Sequence, residues 1–80
     1  MRIDKFLKNS RLIKRRTVGK SACDSGRILV NGKDAKAGTQ LKPGDIITLR
    51  LGGREQSVEV LQLLEHAPKD AAETMYRLLD

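Results

Sequence analysis

Asn31 and Gly32 follow the apolar stretch Ile28-Leu29-Val30, and that dipeptide selects one kind of turn. Both central residues of a type I′ turn need positive φ, which Asn and Gly reach at least cost. A tight hairpin is therefore expected, with residues 28–30 leading in and residues 33–36 returning. Downstream, Lys42-Pro43-Gly44-Asp45 reads as a type II turn, with Pro at the second position and Gly at the third. Residues 46–51 then alternate, with Ile47, Leu49 and Leu51 on one face. Gly52-Gly53 turns the chain, and residues 56–61 return with Val58 and Val60 inward. Strands joined by such short turns pair antiparallel, so the middle of the chain is one small, largely antiparallel sheet.

Before Gly26 the period is 3.6. Ile3, Phe6 and Leu7 fall at i, i+3 and i+4, which predicts a helix within residues 1–10. Asp4 suits its N-terminus, by capping and by charge. A second helix is expected from Thr17 through Val18, Ala22 and Cys23, with Gly26 as its left-handed stop. Between them Leu12 and Ile13 must turn inward, which forces the surrounding cations outward. After Pro68, Asp70 and Glu73 have capping-box spacing, and Met75, Leu78 and Leu79 form a stripe. A C-terminal amphipathic helix within residues 66–80, packed on a sheet-bearing domain of residues 1–65, is the expectation. The fold class is α+β, with two short N-terminal helices on the sheet and this third helix behind.

Charge supplies the functional clue. Residues 1–20 hold eight basic side chains and one acid, a net of +7. Residues 21–54 carry +3 and residues 55–80 carry −4. A dense basic end with few neighbouring acids is the electrostatic footprint of a polyanion binder. Phe6 and Tyr76 are the two aromatics, at opposite ends of the chain, and there is no Trp. Single strands are usually gripped by stacking bases on aromatic platforms. Two separated rings do not build one, so recognition of phosphates and shape on a folded, helical nucleic acid remains. No apolar run approaches the roughly 18 residues that span a bilayer, and no apolar leader precedes the charged segment. A soluble, cytoplasmic monomer without a membrane partner is expected.

Catalytic chemistry finds no footing. His66 is a single histidine beside a proline, and Cys23 is a single cysteine. One of each does not make a zinc site, and Cys23 reads as a small core residue. Gly52-Gly53 lacks the context of a phosphate loop. No metal, cofactor or nucleophile is expected, and no enzyme.

The order of elements is specific. Gly26-Arg27-Ile28-Leu29-Val30-Asn31-Gly32, followed by Pro43-Gly44-Asp45-Ile46, resembles the signature of the S-four RNA-binding domain. That domain takes its name from a small-subunit ribosomal protein, and the resemblance covers roughly residues 1–52. The opening Arg2-Ile3-Asp4-Lys5-Phe6-Leu7 and the run from Arg11 to Thr17 look like its small stand-alone members. These include a fifteen-kilodalton heat-shock ribosome-binding type and a shorter Gram-positive ribosome-associated quality-control type. The acidic ending, with Ala72-Glu73-Thr74-Met75-Tyr76, looks like the second.

The resemblance implies a non-catalytic factor on large ribosomal subunits obstructed by peptidyl-tRNA. It would contact large-subunit rRNA and tRNA, and support a fibronectin-binding-like elongation partner that adds a C-terminal alanine tail to the stalled chain. The alternatives are a heat-shock-type recycling factor, another structured-RNA binder of this fold, or a protein-interaction module using the acidic half. By the same resemblance Arg2, Arg11, Arg15 and Arg16 match the RNA-binding positions, with Lys14 and Lys20 as supports; Lys33 and Lys36 on the hairpin either add phosphate contacts or form a plain solvated turn. Lys5 and Lys8 carry less weight. Asp4 orients Arg2 or Arg16, and Asn31 and Gly32 are structural. Arg16, just before the second helix, is the leading candidate because its planar fork holds a phosphate with two hydrogen bonds.

Overall fold

The computed structural model describes residues 1–79. Two helices come first, α1 (Ile3–Asn9) and α2 (Arg16–Asp24). Strands β1 (Ile28–Val30), β2 (Lys33–Asp34), β3 (Ile46–Leu51) and β4 (Arg54–Val60) follow. A single helical turn, α3 (Lys69–Ala72), and a 3-10 turn (Glu73–Met75) lead into a last strand, β5 (Tyr76–Leu79). All pairings in the five-stranded sheet are antiparallel, in the order β2-β1-β3-β4-β5.

Local turn chemistry sets much of this. Asn31 and Gly32 have φ of 52° and 83°, and Val30 pairs with Lys33 across them, as a type I′ hairpin requires. The returning strand is two residues long, so Lys36 lies beyond it in a turn closed on Thr39. Asn31 also serves the neighbouring strand. Its Oδ1 accepts from the Ile46 N–H at 2.9 Å and its Nδ2 donates to Asp45 Oδ1 at 3.1 Å. The two signature stretches of the sequence are thus bonded to each other. Gly26 ends α2 with φ 77°. Its N–H donates to Cys23 and the Arg27 N–H to Ala22, the paired bonds of a Schellman stop.

Helix starts differ from expectation. The extended N-cap of α1 is Arg2, and Asp4 lies in the first turn. The strap formed by residues 35–41 does the capping: the Ile3 N–H donates to Thr39 O at 2.8 Å and the Asp4 N–H to Ala37 O. A helix leaves its first N–H groups without internal partners, and main-chain carbonyls take two of them here. The N-cap of α2 is Arg15 rather than Thr17. Val18 is half-exposed, while Ala22 and Cys23 face inward.

The C-terminal helix expected over residues 66–80 is corrected to a single turn, and Asp80, its last residue, lies outside the described residues. One turn forms, capped by Pro68 with no side-chain bond from Asp70, and the chain then extends. Tyr76 to Leu79 pairs with Val60 to Ser57, completing an edge of β4 that would otherwise be open. The spacing of Met75, Leu78 and Leu79 is helical, but ladder hydrogen bonds outweigh the propensity of a short helix, and Leu78 is left exposed. Met75 remains fully buried.

One core joins the layers: Ile3, Phe6 and Leu7 of α1 with Cys23, Ile28, Ile47, Val58, Val60 and Met75. Burial, with Asp24 and Asp4 adding negative potential, pushes the Cys23 thiol up to about 11. An unfolded chain loses that proton nearer pH 9 and binds fewer protons than the native one above it. Stability therefore falls as pH rises from 9 towards 11, by at most about 1.4 kcal/mol per pH unit. Thermal melts at pH 8 and 10 check this: the alkaline loss should shrink in Cys23→Ala.

Candidate nucleic-acid interface

The buried carboxylate of Asp4 organises one end of α1. Its Oδ2 lies 3.2 Å from Arg2 Nη2 and 3.3 Å from Arg16 Nε. Its Oδ1 accepts from the Lys5 N–H at 2.8 Å, with Arg16 Nη2 at 3.5 Å. The Asp4 side chain is 3% exposed, whereas those of Arg2 and Arg16 are 48% and 49% exposed. One inward acid therefore holds two outward guanidinium groups, leaving a net positive charge with free N–H edges. Expectation had Asp4 holding Arg2 or Arg16; it holds both. Arg16 lies in the first turn of α2, not in the linker, and its position is fixed from behind.

Lys20 follows Arg16 by four residues on α2, one helical turn on, and is exposed. Arg15, the N-cap, is exposed beside it. The Arg2 guanidinium passes about 4.0 Å from where a Cβ on Gly38 would stand. Lys36 lies on the same strap. Lys33 stands on β2 at the sheet edge.

Arg11 and Lys14 gather elsewhere, with Lys8, at the C-terminal end of α1. Together these three line a concavity of about 440 Å³. Charge counting gave Lys8 little weight, because nothing local shows that three cations share a hollow. Lys5 leaves the set, since it is paired with Glu65. Its ammonium and hydrogen bond hold the Glu65 carboxyl below the usual range. Among the described residues, Lys8, Arg11, Lys14, Arg15 and Lys20 make no ion pair.

The sequence profile of the S4 domain matches residues 1–47, the segment that contains both cationic groups. The chain belongs to the S4 domain family. It is 51% identical over 79 residues to the RQC P-site tRNA stabilizing factor of Bacillus subtilis, covering 99% of this chain and 92% of that one. It is 30% identical to a heat shock protein 15 homolog of Haemophilus influenzae over 79% of its length, and spans 48% of that protein. A trimeric structure of heat shock protein 15 from Vibrio cholerae superposes with a TM-score of 0.91 at 28% identity, covering 99% of this chain and 81% of that one. S4 members bind RNA, and the two arginines held by Asp4 lie within the matched segment.

Proposed function

We propose that this S4-domain chain is a non-catalytic factor of ribosome quality control that steadies tRNA on an obstructed large subunit. The observation that carries the reading is the Arg2–Asp4–Arg16 cluster, set in a chain that matches the Bacillus subtilis tRNA-stabilising factor along nearly its whole length. Arg2, Arg16, Arg15 and Lys20 contact phosphates of large-subunit rRNA or of the peptidyl-tRNA. Lys33 and Lys36 extend that contact along the hairpin. Catalysis belongs to the ribosome and to a fibronectin-binding-like elongation partner that adds the alanine tail. No helix among the described residues is long and apolar enough to cross a membrane, and a cytoplasmic place of action follows from the cargo.

Recovery of tagged protein on sucrose gradients, with sequencing of the bound RNA, tests this. Large-subunit rRNA together with tRNA is the expected result. Small-subunit or messenger RNA, or no RNA, overturns it. A second reading, a recycling factor of the heat shock protein 15 type, is favoured by the 0.91 TM-score, and predicts no dependence of alanine tailing on this chain. Either reading requires steep salt dependence. With about five phosphates neutralised, the slope of log K against log salt is about −3.5 to −4.5, at roughly 0.7 to 0.9 per phosphate. Filter binding across a salt series measures it, and a flat line excludes both.

A further inference from the structure

A loop outside the S4 profile borders the second cationic group. Asn9, the last residue of α1, donates through Nδ2 to the carbonyls of Leu64 and Glu65, both at 3.0 Å. Leu63, Leu64 and Ala67 pack on the core from behind, and Lys5 holds Glu65. The loop is therefore pinned against the end of α1. Its outer face, with His66 and Pro68, joins Lys8, Asn9, Arg11 and Glu65 around a hollow of about 290 Å³. Lys8 and Arg11 also wall the hollow shared with Lys14, so the two hollows adjoin at these side chains and are together called the trough.

The backbone beneath it is strained in an informative way. Arg11 has φ 64°, a left-handed conformation at the position after a helix where glycine is the usual occupant. Its N–H closes the helix on Lys8 O at 3.1 Å. A side chain is carried where the fold alone would favour having none, and it is a cation opening into the trough. The trough's one acid, Glu65, is already neutralised by Lys5, so no free carboxylate opposes an anion there.

We propose that Lys8, Arg11, Lys14 and His66 form a second RNA site, which takes the sugar–phosphate backbone, at the opposite end of α1 from Arg2 and Arg16. Three cations meet the phosphates and the His66 imidazole donates a hydrogen bond. The 61–68 loop thereby carries the RNA surface beyond the S4 domain. Asn9 is a positioning residue that touches no RNA. The site does not depend on which particle supplies the RNA, so its failure and that of the quality-control reading are separable.

The test is binding of the full chain to a generic 20-base-pair RNA duplex across a salt series. The combined variant Lys8→Gln, Arg11→Gly, Lys14→Gln keeps the fold safe, because glycine suits the left-handed position. It should bind about tenfold more weakly and lose about two phosphates' worth of slope, roughly 1.4 to 1.8. His66→Ala and Asn9→Ala should each cost about threefold, with the Asn9→Ala slope unchanged because no charge is lost. Arg77→Ala, on β5 and paired with Glu59, is the control and should match the parent. A parental slope in the triple variant overturns the site. Parental affinity in both single variants removes the loop from it and overturns the composite arrangement. Melts of each variant confirm folding.

Discussion

Arg16→Ala is expected to weaken binding to the ribosomal particle by about 30-fold while leaving the fold intact. A guanidinium at the centre of an RNA contact can make a charge-assisted, bidentate bond to phosphate. Losing it costs on the order of 2 kcal/mol, which is about 30-fold. Arg16 also makes an ion pair with buried Asp4, so its removal touches stability too. Asp4 keeps Arg2 and the Lys5 N–H as partners, and Arg16 is half-exposed, so that cost stays near about 1 kcal/mol. For a domain of this size the melting temperature falls by about 4–8 °C. Arg16→Lys should restore part of the affinity, because the charge returns without the fork. Sedimentation with large subunits, beside thermal melts, reads both quantities. If Arg16→Ala sediments as the parent does and Arg77→Ala does not, the binding face lies at the wrong end of the molecule.

Features written in local backbone chemistry were legible from sequence. Gly26, Asn31-Gly32 and Pro43-Gly44 each demand a positive φ, and each has one. The apolar alternation of β3 and β4 matches their buried faces. Features that depend on distant partners were not. Asp4 and Thr17 looked like caps because capping residues are recognised one helix at a time. Two donors of α1 are met instead by carbonyls over thirty residues away, which no local pattern announces, and Asp4 takes the Lys5 N–H alone. The same holds for β5, whose residues extend because β4 offers them a ladder.

The cationic sites divide along the same line. The excess of charge in residues 1–20 was visible as a count. Its partition into two groups, one organised by Asp4 and one around Lys8, Arg11 and Lys14, follows from how the first two helices are placed in space, with a loop of later sequence bordering the second group. The left-handed Arg11 had no signal, since neither glycine nor asparagine marks the position.

Phe6→Ala carries the largest expected loss of stability. Its ring is fully buried among Ile3, Leu7, Ile47 and Met75, where a base cannot stack on it. Truncating such a ring costs about 3–5 kcal/mol, through lost transfer energy and the cavity left behind. An 80-residue domain holds roughly 4–12 kcal/mol in total, at 0.05–0.15 per residue. The variant should therefore be partly or wholly unfolded at 37 °C, and RNA binding should fail in proportion to the folded fraction. Phe6→Leu refills most of the space and should cost about 1–2 kcal/mol, with parental RNA affinity at 20 °C once folding is allowed for. Urea denaturation followed by circular dichroism gives the first quantity and filter binding the second. A Phe6→Ala protein with the parent's midpoint and no RNA binding would mean that the ring is a stacking platform, and the cationic reading of this surface would then be incomplete.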